Sequence, residues 1–414
     1  MASSWVAVID LKAFYASVEC IDRRLDMFTT PLVVCDKSRG PGTIVLSVSP
    51  YLKALGVPSR CRAYELPKMD NIVYATPRMH HYLDVSAQFI RVLLDFVGED
   101  DLHVYSVDEA FLNIGPYLKM YQMTPVELIS KILKTVHQKL KLVATAGIGP
   151  NPFLAKCALD LDAKKRPDFI AQWSEDDIAP KLWPLAPLSK LWGISSGYER
   201  KLNNLGIMSV GDLAHYPKEK LRQYFGVMGI QLWEHANGID DSNIRDKYVA
   251  KEHGLTIGQT LFRDYHIEEV PLIIREMSDD LSMRLRLEQK LSGLVSLMVG
   301  YSDALGGFSR QMALAFPTDD EDILYDALMN IFYKHKENQP VRRLSLSFSK
   351  FVGRNFEQLN LFIDPEEQDK KRRLQYMVDL IHHRFGMNAL IRATALIDGS
   401  TAMSRHQQIG GHRR

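Results

Sequence analysis

The stretch VAVIDLKAFYASVE, from Val6 to Glu19, constrains the fold more than any other part of this sequence. A run of apolar and β-branched residues, which predicts a strand, ends in the charged residue Asp10, and helical spacing follows at once. An unpaired charge is costly to bury, so Asp10 needs a partner. It can cap the helix that follows, or it can bind a metal ion at the carboxyl end of a strand. This stretch alone leaves both alternatives open.

A second acidic site interrupts an apolar run in HVYSVDEAFLNIG, where Asp108 and Glu109 stand side by side. Neighbouring side chains of an ideal strand point to opposite faces, so both carboxylates can serve one site only at a turn or bulge. The same pair is common in plain hairpins. Taken with Asp10, it provides three carboxylates at strand ends, which are the hard oxygen ligands that Mg²⁺ prefers. Two such ions can stabilise the attacking and leaving oxygens of a phosphoryl transfer.

Length, charge and cysteine usage narrow the class of protein. At 414 residues the chain has room for about two to four domains with cores of their own. Its net charge of +1 is low for a nucleic-acid-binding protein, so such a function would depend on local basic clusters. Its 4 cysteines form no CxxC pair, which is typical of reduced and buried thiols, and no apolar segment is long enough to span a bilayer. We therefore predict a soluble, cytoplasmic protein.

Residues from about 1 to 170 mix short apolar strands with amphipathic helices, which favours an α/β or α+β catalytic body. Strands predicted at Pro31–Cys35 and Thr43–Val48 are joined by a glycine-rich turn, which indicates a small subdomain inserted after Asp10. Apolar residues at helical spacing from Leu128 to His137 predict a helix that covers one face of the main sheet.

A proline-rich stretch from Trp183 to Leu188 marks the change from mixed strands and helices to a helical region. The sequence LWGISSGYERKLNNLGIMSVGDLA follows it and predicts a helix, a glycine turn and a second helix. The free N–H groups at a helix start can bind a phosphate, although an ordinary helical hairpin would have the same pattern. Both interpretations stand on this pattern.

The chain changes again near Tyr248, where alternating strands and helices predict a small α+β domain with an open sheet face. The predicted elements are strands at Leu291–Tyr301, Gln311–Phe316 and Arg343–Phe351 and a helix at Leu324–Lys336. Arg342, Arg343 and Lys350 can place positive charge along this sheet, although charges in strands are usually just solvated positions.

Three motifs are similar to those of the Y-family translesion DNA polymerases. They are Asp10 to Glu19, Ser106 to Phe111, and AGIGPN from Ala146 to Asn151 with the following Leu154-Ala155-Lys156. The resemblance runs in order over nearly the whole chain and is nearest to the bacterial UmuC and UvrX branch. It implies an α+β multidomain fold, a right-hand polymerase with a palm, small fingers, a helical thumb containing a helix-hairpin-helix, and an α+β little finger.

The resemblance also implies domain limits, a function and partners. The palm would comprise residues 1–25 and 75–170, the fingers 26–74, the thumb 171–245, the little finger 246–355, and a clamp-binding segment with a C-terminal extension 356–414. The implied function is template-directed addition of deoxynucleotides to a primer 3′ end, with low processivity, in DNA damage tolerance and the SOS response. Primer-template DNA, deoxynucleoside triphosphates and the sliding clamp would be the partners of a monomer. The alternatives are a nucleotidyl cyclase-like two-metal enzyme and a catalytically inactive DNA-binding accessory protein.

Carried over residue by residue, the resemblance implies a metal site. Asp10, Asp108 and Glu109 would be catalytic and bind two Mg²⁺ ions, and the carbonyl of Leu11 would complete one coordination shell. Lys12 departs from the family, because many members have a second acid there. That departure leaves the three carboxylates in place.

The resemblance places further residues against the incoming nucleotide. Phe14 and Tyr15 would lie under its sugar, and Tyr15 would be the steric gate, since a rigid ring against C2′ leaves no room for a hydroxyl. Without the neighbouring acid, Tyr15 would be interpreted as an ordinary half-buried aromatic residue. Lys164 resembles the palm lysine that reaches the phosphates, and Lys165 is the rival assignment.

The predicted triphosphate site in the fingers departs from the family's Thr-x-x-Tyr-x-x-Arg segment. Ser47 stands at the threonine, Pro50 at the tyrosine and Lys53 at the arginine. A lysine supplies positive charge without the bidentate fork of arginine, and Tyr51 would replace the missing hydroxyl after a one-residue adjustment. Pro152 stands where the family usually has lysine.

The remaining implied contacts are with DNA and the clamp. The DNA-binding residues would be Gly193, Gly197 and Gly206 of the helical hairpin and Arg342, Arg343 and Lys350 of the little finger. The clamp-binding residues would be Gln358, Leu359, Leu361 and Phe362, although so short a peptide is by itself more often part of its own domain. A helix predicted at about Glu366–Phe385 follows, and the ending GGHRR is predicted to be a flexible tail.

Overall fold

A computed structural model describes residues 5–247, 253–302, 305–354 and 365–414. The chain divides into two compact units, formed essentially by residues 1–248 and residues 249–412. Within the described ranges, none of the helices combines the length and the apolar character that crossing a membrane requires.

The first unit alternates short strands and helices over most of its length. Its strands are β1 (Val6–Leu11), β2 (Leu32–Val34), β3 (Ser47–Val48), β4 (Val73–Ala75), β5 (Leu102–Val104), β6 (Glu109–Asn113), β7 (Ala144–Gly149) and β8 (Ile170–Gln172). Its helices are α1 (Phe14–Asp22), α2 (Pro50–Ala54), α3 (Met79–Leu94), α4 (Gly115–Tyr121), α5 (Pro125–Leu140), α6 (Pro152–Cys157), α7 (Ser196–Asn203), α8 (Val210–His215), α9 (Lys218–Phe225) and α10 (Val227–Ala236). The helix predicted at Leu128–His137 lies within α5 and is confirmed.

The main sheet of this unit has the strand order β5-β6-β1-β7-β8. β1 runs antiparallel to both neighbours, and Asp10 pairs with Glu109 of β6 on one side and Thr145 of β7 on the other. Asp108 lies in a bend just before β6 begins, so the turn required for two neighbouring carboxylates at one site is present. The sheet therefore gathers all three predicted carboxylates at one end of its central strands.

Alternate residues of β1 belong to two different hydrophobic cores. Ala7 and Ile9 share a core with buried residues of α3 and α5, whereas Val6 and Val8 share a core with α6 and the helices after it. This two-sided burial explains the continuous apolar run, because a strand covered on both faces has no solvent side. Asp10 continues the alternation of Val6 and Val8, so it lies on the α6 face of the sheet.

The small subdomain predicted after Asp10 is present as a three-stranded sheet in the order β3-β2-β4. The strand predicted at Pro31–Cys35 is confirmed by β2. The return strand predicted at Thr43–Val48 is mostly wrong, because only Ser47 and Val48 are in strand conformation. Ile44 instead makes an isolated bridge with Arg62, and this different partner ends the ladder early.

The predicted helix, glycine turn and helix after the proline-rich stretch are confirmed as α7 and α8. Ser195 and Ser209 cap these helices through their side-chain oxygens, which accept from the N–H groups of Tyr198 and Asp212. Gly206 lies between them with a φ of 79°, a left-handed conformation that glycine adopts without strain.

The second unit is an antiparallel sheet with the order β11-β10-β12-β9, covered on one face by two long helices. Its elements are β9 (Leu255–Tyr265), α11 (Val270–Leu287), β10 (Lys290–Tyr301), β11 (Gly307–Thr318), α12 (Glu321–His335), β12 (Val341–Gly353), α13 (Pro365–Phe385), α14 (Ala402–His406), β13 (Gln408–Ile409) and β14 (His412–Arg413). The predicted strands lie within β10, β11 and β12, and the predicted helix overlaps α12, so these predictions are confirmed. β9 escaped prediction because polar and exposed residues interrupt its apolar pattern.

The C-terminal residues fold onto the second unit. The predicted helix at Glu366–Phe385 is confirmed by α13. The Arg286 guanidinium of α11 forms a buried pair with both carboxylate oxygens of Asp379 on α13, at 2.7 and 2.8 Å. The predicted flexible tail is wrong, because β13 and β14 form a hairpin whose turn, Gly410–Gly411, has positive φ at both positions.

Candidate active site

The three predicted metal carboxylates meet where β1 and β6 pair. Asp10 and Glu109 are register partners, and the carbonyl of Asp108 accepts a 2.8 Å hydrogen bond from the N–H of Leu11. Asp10 does not cap α1, because the N-cap position is Ala13 and no side chain makes a capping bond there. Of the two alternatives drawn from the sequence, the cap is therefore wrong.

A hydroxyl orients the second carboxylate. The side chain of Ser106 donates a 2.7 Å hydrogen bond to Oδ1 of Asp108 within the bend. Such a bond leaves the other carboxylate oxygen available to a ligand. Sequence reasoning included Ser106 in a motif but gave it no role.

The electrostatics of the cluster favour a bound cation. Burial raises the pKa of Asp10 to about 6; Lys164 opposes this rise, and the neighbouring carboxylates of Asp108 and Glu109 add to it. Burial also raises the pKa of Glu109, against the opposing hydrogen bond from Lys156. Crowded carboxylates that resist ionisation together are relieved by a divalent ion, so this donor set suits Mg²⁺.

The carboxylates do not form a closed cage in this structure. Among the described residues, no group of three acidic, histidine or cysteine side chains is arranged ready to hold a metal ion. The side chain of Glu109 is instead held by Lys156, whose ammonium donates a 2.6 Å hydrogen bond to Oε1. Both side chains are less than one-tenth exposed.

Lysines surround the acidic cluster. The Lys164 ammonium lies 3.8 Å from Oδ2 of Asp10 and 2.7 Å from Oδ1 of Asp160. Lys164 and its rival Lys165 are both exposed. Burial lowers the pKa of Lys53; the charges of Asp10 and Asp108 act against this shift, and Lys164 adds to it. Lys53 of α2 and Lys164 of the short helical turn Ala163–Lys165 therefore both interact with Asp10.

The other two residues predicted to bind the triphosphate, Ser47 and Tyr51, lie in β3 and in α2. Pro50 is the first residue of α2, and Tyr51 packs partly buried against the core of the small subdomain. Ser47 lies next to the start of α1, since its hydroxyl donates a 3.5 Å hydrogen bond to the carbonyl of Ala13. Lys12 has its ammonium 4.6 Å from the centre of the Phe169 ring.

The predicted gate residue lies in a stack of aromatic rings. Phe14 is buried in the core, whereas Tyr15 is half-buried and stacks on Tyr82 with ring centres 4.7 Å apart. The Tyr82 hydroxyl donates a 2.7 Å hydrogen bond to the buried carboxylate of Glu19, which also accepts from Arg78 at 2.9 Å. Sequence reasoning missed Tyr82 and the role of Glu19, because 63 residues separate this pair along the chain.

The residues predicted to bind DNA fall in both units. Gly193, Gly197 and Gly206 lie in the α7–α8 region of the first unit, and Arg342, Arg343 and Lys350 lie in β12 of the second. Arg343 is exposed and alternates with the buried Leu344 and Leu346, so it lies on the sheet face away from the helices. The predicted clamp residues Gln358, Leu359, Leu361 and Phe362 lie outside the described residues.

A carboxylate-bearing palm sheet, a small three-stranded subdomain, a helical hairpin region and a separate α+β unit define a right-hand polymerase. Three sequence models match the chain: the impB/mucB/samB family at residues 9–160, its HHH motif at 175–207, and its C-terminal domain at 253–361. The chain belongs to this family, the Y-family translesion DNA polymerases, and is a DNA-directed DNA polymerase. The predicted family and fold class are thereby confirmed, and neither alternative function is favoured.

Relatives align along nearly the full chain. A putative UV-damage repair protein UvrX from Bacillus subtilis (strain 168) is 35% identical over 412 residues, which cover 99% of this chain and 97% of the relative. DNA polymerase IV 2 from the same organism is 33% identical over 100% of this chain and 99% of its own. A solved Y-family polymerase chimera, Dbh-Dpo4(243-245)-Dbh, has a TM-score of 0.67 at 20% identity and covers 84% of this chain and 99% of its own, a likeness of fold.

Proposed function

We propose that this polymerase adds deoxynucleotides to a primer 3′ end with Asp10, Asp108 and Glu109 as the ligands of two Mg²⁺ ions, joined by the carbonyl of Leu11. The observation that carries the proposal is the register pairing of Asp10 with Glu109, with Asp108 in the adjacent bend. When bound, such ions stabilise the charge that develops on the attacking and leaving oxygens.

The residues around the carboxylates would hold the nucleotide in line with the primer. Lys53 and Lys164 would bind the triphosphate, because both ammonium groups lie near Asp10 in an otherwise acidic site. Ser47 and Tyr51 would line the same side. Holding a reacting group in place removes much of the entropic part of the barrier.

DNA contacts would come from both units. The N–H groups near Gly193, Gly197 and Gly206 would bind backbone phosphates, and Arg342, Arg343 and Lys350 would add positive charge along β12. Such contacts are independent of sequence and weaken with salt. With a net charge of +1 the chain would hold DNA weakly, which favours low processivity in damage tolerance and the SOS response.

We also propose that Gln358, Leu359, Leu361 and Phe362 bind the sliding clamp and compensate for that weak hold. Their side-chain pattern suits a short peptide whose apolar residues fill a cleft while the glutamine bonds at its edge. The free thiols of the four cysteines suit a protein that works as a monomer in the reducing cytoplasm.

The metal assignment is tested by replacing Asp108 with asparagine, which keeps the shape and removes the charge. We expect Asp108→Asn to slow primer extension about a thousand-fold or more, since the lost metal interaction is worth several kcal/mol. DNA binding, measured by fluorescence anisotropy on the same preparation, should stay within two-fold.

The matched control is Asp100→Asn, which changes an exposed aspartate of the same unit that pairs only loosely with Lys247 at 3.4 Å. This variant should extend primers at the wild-type rate. Near-normal extension by Asp108→Asn would contradict the proposed metal site.

A further inference from the structure

A chain of alternating charges links two of the three proposed metal ligands. Lys156 donates to Glu109 at 2.6 Å and lies 3.2 Å from Oδ2 of Asp160. The other oxygen of Asp160 accepts from Lys164 at 2.7 Å, and Lys164 in turn lies 3.8 Å from Asp10. Asp160 therefore joins two lysines, and each lysine faces one proposed ligand.

The fold brings these groups together by close packing of α6 on β7. A Cβ added to Gly147 would lie 2.1 Å from the Ala155 carbonyl oxygen and 2.3 Å from the Leu159 nitrogen. Only glycine lets the helix approach the strand so closely, and Lys156 is thereby buried against Glu109. Asp160 lies in the π-helical turn Ala158–Asp162, a type of irregularity often found at functional sites.

The ammonium of Lys156 and a divalent cation would compete for the same carboxylate. Glu109 is buried, so without a cation beside it its charge would be costly. Lys156 is equally buried and would be costly to leave unpaired. Asp160, already in contact with the same ammonium, gives Lys156 a partner that does not depend on Glu109.

We propose that Lys156 is a positioning residue that holds Glu109 until a metal ion binds. Asp160 then holds Lys156, so that Lys156 and Asp160 together set the metal affinity. The inference rests on the proposed function, because it takes Glu109 to be a ligand. Lys156 and Asp160 contact each other, and neither is itself assigned as a metal ligand.

The test measures binding of Mn²⁺ alone to the full chain, by electron paramagnetic resonance of the free ion, without DNA or nucleotide. We expect Lys156→Gln to lower the Kd about ten-fold, because the competing charge is removed while a hydrogen-bond donor remains. We expect Asp160→Asn to raise the Kd about three-fold or more, because Lys156 then depends on Glu109 alone. A purely structural role would weaken binding in both variants.

Two neighbouring substitutions serve as matched controls. Lys165→Gln changes an exposed lysine beside Lys164, and Asp162→Asn changes an acid of the same π-helical turn whose partners are Trp173 and Lys181. Both should keep the Mn²⁺ Kd within two-fold. Lys156→Arg, which keeps the charge, should restore a Kd near the wild-type value.

Opposite shifts in Kd for Lys156→Gln and Asp160→Asn support the inference, and an unchanged Kd or shifts of the same sign overturn it. If Lys156→Gln fails to fold by circular dichroism, Asp160→Asn still decides, because it leaves the Glu109–Lys156 pair in place. The Asp108→Asn variant separates the two proposals. If Asp108→Asn loses Mn²⁺ binding but Lys156→Gln and Asp160→Asn keep the wild-type Kd, only the role of Lys156 is refuted. Unchanged Mn²⁺ binding by Asp108→Asn refutes the proposed metal site itself.

Discussion

The position of the Tyr15 ring is set by a buried and anchored aromatic neighbour. Its stacking partner Tyr82 is 1% exposed and is anchored through its hydroxyl to Glu19, which is fully buried. Arg78 and Arg23 both pair with that carboxylate, so the buried charge is compensated. A ring packed on such a support cannot move aside at low cost, which is what a steric gate requires.

At this scale we predict that Tyr15→Ala admits ribonucleotides. Deleting the ring opens space beside the sugar C2′, and relief of a clash worth roughly 1–3 kcal/mol corresponds to about a 5- to 150-fold loss of discrimination. Single-nucleotide incorporation of matched ribo and deoxy triphosphates gives the ratio.

The control for the gate is Tyr15→Phe, which keeps the ring and removes only the hydroxyl. It should discriminate as the wild type does. If Tyr15→Ala leaves the ratio unchanged, another residue is the gate, and Phe14 beside it, at 5.4 Å between ring centres, would be tested next.

At the scale of elements, the contact between β7 and α6 organises the active site. β7 is buried along its whole length. α6 lies so close to Gly147 and Gly149 of this strand that no side chain would fit at either position. For Gly149 an added Cβ would lie 2.5 Å from the Ala155 nitrogen. The two glycines of β7 therefore let α6 lie close to the sheet, and α6 brings Lys156 to the active site.

We predict that Gly147→Ala lowers the free energy of unfolding by about 3 kcal/mol or more, because the new methyl group would overlap backbone atoms that cannot rotate away. Urea denaturation followed by circular dichroism measures this change. Primer extension should fall as well, since displacing α6 moves Lys156 away from Glu109.

Gly42→Ala is the matched control for this element. An added Cβ there meets nothing within 4 Å, so its stability and activity should equal those of the wild type. A Gly147→Ala variant as stable as Gly42→Ala would show that α6 shifts freely and that the close approach is not required.

At the scale of the molecule, the C-terminal extension is part of the second unit. Besides the buried Arg286–Asp379 pair, Lys371 contacts Asp320 at 2.8 Å, and Thr401 donates through its N–H to the buried Glu276 at 3.1 Å. β12 belongs to the same unit. The segment 355–364 is therefore joined at both ends to one compact unit, and it would present the proposed clamp peptide as an internal segment rather than a free end.

We predict that Leu361→Ala with Phe362→Ala leaves basal primer extension unchanged and removes its stimulation by a clamp loaded on DNA. Loss of two apolar anchors worth about 2 kcal/mol each would weaken such binding well beyond 30-fold. Extension is measured on one template with and without the loaded clamp.

The matched control is Leu374→Ala with Met377→Ala, which removes two exposed apolar side chains from α13 of the same extension. Full stimulation should remain in this variant. If the Leu361 and Phe362 variant is also fully stimulated, recruitment by the clamp does not use this segment.

Local sequence patterns determined the features that depend on neighbouring residues. The apolar run of β1 and the acid at its end predicted a strand carrying Asp10, and the helical spacing in α5 and α13 predicted helices that are present. A short apolar run and a period of 3.6 residues are both visible within a short window of sequence. The strand β9 was not predicted, because its polar and exposed residues weaken the alternation of apolar and polar positions.

Only the tertiary structure decided which distant residues meet. Lys156 reaches Glu109 across 47 residues, and Tyr82 reaches Glu19 across 63. Arg286 and Asp379 pair across 93 residues, which makes the C-terminal extension part of a domain. A buried charge must find an opposite charge, but the sequence offers many candidates, and the choice among them depends on packing. For Lys156 and Glu109 that choice came from how closely α6 packs on β7, a property of the assembled backbone that no local pattern contains.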